Sequence, residues 1–227
     1  MKLFNQFFDF FLPRFCISCE KKLSSEVYFV CSGCIDSIKN ADTGRIIHEF
    51  NRKFLNDKLI NDFTSPFVFE KEKTLQHIIH ALKYNENFRL GIFLGRLTAE
   101  KAKHKISEWD ADIIVPVPIH RLKKAERGYN QSFYISKGIG SVLQIQIVKN
   151  AVVRKKFTET QTAFASEERK ENVKDAFAIK NKNVASGKKI ILVDDVITTG
   201  ATISECAKVL IENGAEKVFA FSAAVAD

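Results

Sequence analysis

Apolar residues recur along this 227-residue chain with the periods of amphipathic helices and of buried strands. Between residues 73 and 84 they fall on one helical face, the polar run 85–87 ends that helix, and a second helix is predicted from Phe88. Two continuous apolar runs, 112–118 and 189–193, predict buried strands of a parallel sheet. The segments 145–153 and 217–223 are also typical of strands.

Helices are predicted between these strands. One covers about 130–143 and another covers 202–213, with Thr202 and Glu205 as a capping box at its start and Gly214 as its C-terminal stop. The alternation of strands and helices predicts an α/β fold with a parallel sheet flanked by helices.

Two stretches lack this periodicity. Residues of about 40–70 are polar and irregular, and they predict a connection with at most one strand. Residues 154–172 are polar and charged, and they predict a long loop leading into a short helix. Because loops of that size in compact domains are often functional, we expect this one to close over a ligand.

The N-terminal segment is apolar, with Phe4, Phe7, Phe8 and Phe11 on one helical face. Asp9 in its middle and the lack of a small-residue cleavage site argue against a secretory signal. A short helix docked on the rest of the chain is favoured over a membrane-surface anchor. No stretch of the sequence reaches the length of a membrane span, so we expect a cytoplasmic protein with reduced thiols.

Four of the five cysteines form two C-x2-C pairs separated by eleven residues, namely Cys16, Cys19, Cys31 and Cys34. Two such turns can complete a tetrahedral shell of four thiolates around one structural Zn²⁺ ion, with no position left open for catalysis. Two disulfides would require a secreted protein, and a redox pair would need only one C-x2-C. The favoured prediction is a zinc module over residues 1–45, followed by a larger domain over 46–227.

The segment 190–202 carries the chemistry of this chain. Four apolar residues predict a buried strand, Asp194 and Asp195 stand at its carboxyl end, and a hydroxyl-rich loop then opens a helix. In open α/β sheets, ligands bind at the carboxyl ends of strands. Carboxylates accept hydrogen bonds from a diol, whereas backbone N–H groups at a helix N-terminus bind phosphate. This order therefore suits a phosphorylated sugar.

Two other nucleotide sites share parts of this pattern. The strand and its two acids resemble a Walker B segment, but the sequence has no matching G-x-x-x-x-G-K-[ST]. Gly138 and Gly140 begin a G-x-G pair, but Leu143 stands where a dinucleotide site would have its third glycine. Neither alternative explains the hydroxyl-rich loop.

All thirteen residues of 190–202 resemble the signature for 5-phosphoribosyl-1-pyrophosphate (PRPP) in type I phosphoribosyltransferases. The wider chain is similar to the competence protein F (ComF) family, whose members are amidophosphoribosyltransferase-like and in some cases serve DNA uptake in natural transformation. The similar features are the double C-x2-C, Leu82-Lys83-Tyr84, Pro116-Val117-Pro118, Arg127-Gly128-Tyr129-Asn130-Gln131, Gln161, Arg169, Asn172 and Ala176-Phe177. The resemblance implies a zinc-ribbon-like module on a type I phosphoribosyltransferase domain.

The resemblance also implies roles for individual residues. Asp194 and Asp195 would bind the ribose hydroxyls and would be the catalytic residues of an active transferase. Arg121 and Arg127 are the candidates for the pyrophosphate, because guanidinium groups bind phosphate oxygens bidentately, and Lys83 is a further candidate. PRPP would bring Mg²⁺ on its pyrophosphate. The 5-phosphate would be bound by Thr198, Thr199, Gly200, Ala201 and Thr202.

The formal net charge of +8 favours polyanionic partners. Two functions remain open: a phosphoribosyltransferase of unknown acceptor, and a competence accessory that binds single-stranded DNA and keeps the PRPP pocket as a sensor or vestige. The basic segment 119–130 is predicted to be a loop, and with Tyr129 and Phe133 it suits the second function. Other competence proteins, such as the DNA-uptake helicase, are candidate partners. A glutamine-dependent amidotransferase is disfavoured because no catalytic cysteine stands at the N-terminus. A purely structural role would not require the acidic pair and the hydroxyl-rich loop.

Overall fold

The computed structural model describes residues 13–156 and 173–226. Within them, the strands are β1 (Asp62–Thr64), β2 (Phe67–Val68), β3 (Ile113–Pro116), β4 (Gln146–Ile147), β5 (Val152–Arg154), β6 (Phe177–Ile179), β7 (Lys189–Ile197) and β8 (Lys217–Val225). The helices are α1 (Ser32–Asp36), α2 (Thr43–Lys53), α3 (Thr74–Tyr84), α4 (Phe88–Ser107), α5 (Arg121–Arg127), α6 (Gln131–Leu143) and α7 (Ala201–Glu212), with a 3-10 turn at Lys182–Val184.

The main sheet is parallel, with the order β1-β8-β7-β3-β4, and β2 pairs with β8 beyond the end of β1. The predicted parallel sheet is therefore confirmed. β7 lies between β3 and β8, and its apolar residues alternate between two separate cores. Ile191 and Val193 belong to the core that also holds residues of α3, α4 and α6, whereas Ile190 and Leu192 belong to the core that holds residues of α7. Burial on both faces explains why this strand reads as continuously apolar.

Helices α4 and α6 pack closely because each presents a glycine at the crossing. A Cβ atom on Gly95 would clash with the carbonyl oxygen of Ile135, and one on Gly138 would clash with the carbonyl oxygen of Ile92. The contact holds α6 in place, and the first turn of α6 reaches the acidic residues of β7.

The cysteine-containing segment shares the main hydrophobic core. Cys16, Leu23 and Val30 are buried in the same cluster as residues of α3 and α4. Asn40 forms an isolated antiparallel bridge with Phe67, which ties the end of the segment to the sheet. The division into residues 1–45 and 46–227 stays a prediction.

The predicted irregular connection over 40–70 was wrong, because it contains the helix α2. Asp42 caps this helix by accepting a hydrogen bond from the backbone N–H of Arg45. The buried residues of this helix are Glu49 and Lys53, while Ile46 and Phe50 are only partly buried, so its inner face does not read as apolar in the sequence.

The structure also corrects three local predictions. The basic segment 119–130 contains the helix α5, which ends where Gly128 adopts a φ of 74°. The single strand expected over 145–153 is two short strands, β4 in the main sheet and β5 in an antiparallel hairpin with β6. The Thr202–Glu205 capping box was wrong: α7 has Gly200 as its N-cap, and Glu205 instead accepts a hydrogen bond from the backbone N–H of Asp175.

Two predictions lie outside the described residues. They are the N-terminal helix with Phe4, Phe7, Phe8 and Phe11, and the closing loop within 154–172 with Gln161, Arg169 and Asn172. No helix among the residues that the structure describes is long and apolar enough to cross a membrane.

Candidate phosphosugar site

Asp194 and Asp195 lie near the carboxyl end of β7, and the strand continues past the apolar run 190–193 as far as Ile197. The hydroxyl of Ser132, in the first turn of α6, donates a hydrogen bond of 2.9 Å to Asp194 Oδ1. The ammonium of Lys83, at the end of α3, lies 2.8 Å from Asp195 Oδ2. Each carboxylate is therefore oriented by a side chain from a different helix.

The environment of Asp194 favours its protonated form. Burial is the largest cause, followed by the negative charge of Asp195, and together they raise the pKa of Asp194 to about 7. The hydrogen bond from Ser132 and the charge of Lys83 act in the opposite direction and do not outweigh them. At neutral pH, this carboxyl group is therefore poised to ionise when a hydrogen-bond donor binds.

The 198–202 loop leads from β7 into α7. Gly200 adopts a φ of 82°, a left-handed conformation that glycine reaches without strain. The N-cap Gly200 has no side chain, and the N–H of Ala201 donates a long hydrogen bond of 3.4 Å to Thr199 Oγ1. The first backbone N–H groups of a helix have no intrahelical partner, so those of α7 can bind an anion. A small cavity is lined by Asp194 and residues 196–203, so Asp194 and the loop share one recess.

The end of α2 lies directly under this loop. Lys53 donates hydrogen bonds to the carbonyl oxygens of Thr198 and Ala226. The ring of Phe54 lies so close to Gly200 that a Cβ atom there would be 2.8 Å from Phe54 Cε1. A side chain larger than hydrogen at position 200 would therefore push the loop away from α2.

Lys83 pairs with Asp195, and Arg154 interacts with the charge of Asp194, while α5 carries three further cations, Arg121, Lys123 and Arg127. We call Lys83, Arg121, Lys123, Arg127 and Arg154 the basic cluster. The pKa of Lys123 is lowered first by burial and then by the positive charges of Arg154, Arg127 and Lys83. The pKa of Arg154 is lowered by burial, while the charge of Asp194 counteracts this shift. These couplings place Arg154 between the acidic pair and α5.

The two predicted arginines occupy different positions in α5. Arg121 is exposed at the first turn, beside the buried His120, whose ring accepts a hydrogen bond from the backbone N–H of Leu122. Arg127 is half-buried, donates a hydrogen bond of 3.3 Å to Gln131, and has its guanidinium 5.7 Å from the ring centre of Tyr84. His120 thus caps a helix, which accounts for its burial.

The four N-terminal cysteines form one cluster, as predicted. Their Sγ atoms all lie within 4.8 Å of one another, and those of Cys19 and Cys31 are 3.7 Å apart. A tetrahedral shell with Zn–S distances of about 2.3 Å has S···S edges of about 3.8 Å, so the thiols fit a single ion. Burial raises the pKa of Cys16, but backbone N–H groups of Cys19, Cys31 and Ser18 outweigh this effect and bring it down to about 6.

A hydroxyl network joins the cysteine cluster to α3. Ser18 lies between Cys16 and Cys19, and its hydroxyl contacts Thr74 Oγ1 at 3.1 Å and His77 Nδ1 at 3.3 Å. Ser37 contacts the same Thr74 oxygen at 3.1 Å. The two cysteine loops are therefore connected to the helix whose far end carries Lys83.

Comparisons with known proteins agree with this architecture. The model of the phosphoribosyl transferase domain family matches residues 131–225, which include β7, the 198–202 loop and α7. Competence protein F of Haemophilus influenzae is 29% identical over 89% of this chain and 93% of its own length. DNA utilization protein YhgH of Salmonella typhimurium is 30% identical over 70% of this chain and 67% of its own. This chain belongs to the ComF family.

The ComF chain has a type I phosphoribosyltransferase fold, in which a parallel sheet is flanked by helices, with a four-cysteine cluster near its N-terminus. Among solved structures, the glutamine PRPP amidotransferase from B. subtilis is 20% identical, covering 63% of this chain and 26% of that chain with a TM-score of 0.38. The relatives are named as competence and DNA utilization proteins.

Three residues of this ComF site were missed by the sequence analysis: Lys53, Ser132 and Arg154. Lys53 lies in the segment read as a connection, and Arg154 lies at the boundary of a segment read as a mobile loop. Ser132 stands next to the Asn130–Gln131 motif, which was the one available signal, since Asn130 caps α6 and thereby places Ser132 in its first turn.

Proposed function

We propose that this ComF chain binds PRPP with Mg²⁺ at the end of β7 and acts as a phosphoribosyltransferase-type protein in DNA uptake during natural transformation. One observation carries the proposal. Asp194 lines the same recess as the 198–202 loop, while the basic cluster lies close to the acidic pair. A ligand with hydroxyl donors between two phosphate groups matches this order of acceptors and donors.

Each part of PRPP has a counterpart in the site. The ribose hydroxyls donate to Asp194 and Asp195, which the side chains of Ser132 and Lys83 orient. The 5-phosphate accepts hydrogen bonds from backbone N–H groups at the start of α7. The hydroxyls of Thr198, Thr199 and Thr202 add further donors.

The pyrophosphate faces the basic cluster. Arg121 and Arg127 are the predicted ligands, and the position of Arg154 near Asp194 adds a third guanidinium. Mg²⁺ bound to the pyrophosphate would neutralise part of its charge and keep most of its waters, because this ion takes few protein ligands. The carboxylates of Asp194 and Asp195 are the nearest hard oxygen ligands in the site.

In phosphoribosyl transfer, the bond between C1 of the ribose and the pyrophosphate oxygen breaks, and a nitrogen of the acceptor forms a new bond to C1. The positive charge that develops on the ribosyl group is stabilised by the ionised carboxylates Asp194 and Asp195, and the leaving pyrophosphate by the basic cluster. This chemistry needs no covalent nucleophile. Cys206 fits that expectation, because it is fully buried on the inner face of α7.

Isothermal titration with PRPP and Mg²⁺ tests this proposal. Wild-type protein should bind, and Asp194→Asn/Asp195→Asn should lose binding while keeping its thermal stability. Lys189→Met is a matched control, because Lys189 pairs with Asp110 at the opposite end of β7. A wild-type protein that does not bind PRPP would refute the proposal. Pyrophosphate release with candidate nitrogen acceptors then measures turnover.

A second candidate function, binding of single-stranded DNA, is supported by a basic and aromatic surface on α6. The rings of Phe133 and Tyr134 are 5.2 Å apart, and Phe88 lies 5.0 Å from Tyr134. The ammonium groups of Lys149 and Lys137 lie 4.4 Å and 5.5 Å from the centre of the Phe133 ring. Bases stack on such rings while the cations contact the backbone. Tyr129 does not contribute, because it is buried and its hydroxyl donates to the carbonyl of Leu82.

Fluorescence anisotropy with a labelled oligonucleotide tests the DNA function. Phe133→Ala/Lys149→Gln should weaken binding and reduce its dependence on salt, whereas Asp194→Asn/Asp195→Asn should retain it. Equal affinity of the wild type and the Phe133→Ala/Lys149→Gln variant would remove this surface from consideration. A DNA-uptake helicase is the protein partner that such a function would require.

A further inference from the structure

Helix α2 ends in a buried network of charges that contacts the 198–202 loop. The carboxylate of Glu49 is 1% exposed and pairs with Lys53 at 2.9 Å, with Arg52 at 2.7 Å and with Arg45 at 3.1 Å. The Lys53 side chain is 2% exposed. Burying a lysine costs free energy unless its ammonium is fully hydrogen-bonded, so its placement requires an explanation.

The Lys53 ammonium donates hydrogen bonds to backbone carbonyl groups at the start of the loop and beside it. Besides Glu49, it contacts the carbonyl oxygens of Thr198, at the start of the loop, and of Ala226, just past β8. Ala226 in turn donates its N–H to the carbonyl of Ile197. Lys53 therefore joins the ends of two neighbouring strands at the point where the loop leaves the sheet.

We propose that Lys53 is a positioning residue that orients the 198–202 loop for the 5-phosphate of the ligand. This inference rests on the proposed PRPP function. The peptide unit is planar and trans, so its C=O and N–H point in opposite directions. When Lys53 holds the carbonyl of Thr198 toward α2, the N–H of Thr199 is turned to the opposite side of the loop, where it can donate to a phosphate.

Two further features of α2 support this role. Phe54 lies directly under Gly200. Lys53, the last residue of α2, and Phe54, which follows it, therefore contact the loop at two points. In addition, Lys53 lines one cavity together with Thr199 and Ala201, so its side chain borders the loop from the side of α2.

The test separates the two ends of the ligand. Ribose 5-phosphate and magnesium pyrophosphate are titrated separately into the full chain by calorimetry. Lys53→Met keeps most of the apolar stem but removes the donor, and it should weaken ribose 5-phosphate binding by about tenfold or more, as expected for losing about 1.4 kcal/mol. Pyrophosphate binding should stay within about twofold of wild type, because the basic cluster is carried by α3, α5 and β5 and not by α2.

A merely structural defect would weaken both ligands alike, and that result, or unchanged binding of both, would overturn the inference. Lys53→Gln, which keeps a neutral donor, provides the same comparison if Lys53→Met does not fold. Lys189→Met controls for the loss of one positive charge far from the loop. If wild-type protein binds neither PRPP nor ribose 5-phosphate, both the proposed function and this inference are refuted. If wild type binds both and Lys53→Met binds ribose 5-phosphate with the same affinity, only the inference is refuted.

Discussion

At the scale of single residues, the acidic pair shows that two identical side chains behave differently when their neighbours differ. Asp195 is ion-paired with Lys83, whereas Asp194 is half-buried beside that negative charge and has a pKa raised to about 7. The unfolded value is close to 3.8, so the folded protein retains a proton that the unfolded chain releases between about pH 4 and pH 7. The stability of the folded state therefore falls as the pH rises through this window.

Asp194→Asn should remove this dependence on pH. We expect the free energy of unfolding of the variant, relative to that of wild type, to increase by on the order of 1–3 kcal/mol between pH 5 and pH 8. The hydroxyl of Ser132 can still donate to the amide oxygen of the variant, so packing is preserved. Chemical denaturation at several pH values measures the difference, and a constant gap between the two proteins would contradict the raised pKa.

The 198–202 loop was predictable from local sequence, because strand, acids, hydroxyl residues and helix follow one another within thirteen positions. Lys53 was not, since it lies 145 residues from the carbonyl that it contacts. A lysine in a polar helix has no local property that distinguishes a buried position from an exposed one. Only the packing of α2 against β1 and the loop decides its burial.

At the scale of elements, the crossing of α4 and α6 determines where Ser132 meets Asp194. The sequence predicted both helices, and α6 was confirmed almost to the residue. Their close contact was not predicted, because glycines within a helix give no indication of what lies opposite them.

Gly138→Ala should separate these helices. The added Cβ would lie 2.6 Å from the backbone nitrogen of Arg96, and neither helix backbone can yield without moving the other. We expect a loss of about 2–4 kcal/mol in the free energy of unfolding, measured by urea denaturation. Gly44→Ala in α2 is the control, because its Cβ would make only an ordinary contact with Asp42 and would favour the helix. Equal stability of both variants would show that the crossing tolerates a methyl group.

At the scale of the whole molecule, the four-cysteine cluster is part of the main core and is linked by Ser18 and Ser37 to α3. A metal bound there would stabilise the contacts of Cys16 and Val30 with the core as well as the two cysteine loops. Structural zinc sites contribute directly to the free energy of folding. Loss of the metal should therefore destabilise the chain beyond its first 45 residues.

We expect the purified protein to contain about one Zn²⁺ per chain, with four ligands and no open position. Cys31→Ser should lose the metal and lower the melting temperature, and a strong chelator should do the same to wild type. Cys206→Ser serves as the comparison, because that thiol is buried on α7 in the other hydrophobic core and should leave the metal content unchanged. Metal analysis and thermal unfolding measure both effects, and a stable, metal-free wild type would refute the zinc assignment.

The sequence by itself determined the features that are encoded over short distances. These are the spacing of the cysteines, the apolar strand and hydroxyl loop of 190–202, and the alternation of strands and helices that specifies a parallel sheet. The tertiary structure alone decided which distant side chains complete the site, namely Lys53, Ser132 and Arg154. The physical reason is that periodicity reports apolar burial within one element, whereas the burial of a polar or charged side chain depends on hydrogen-bond partners supplied by other elements.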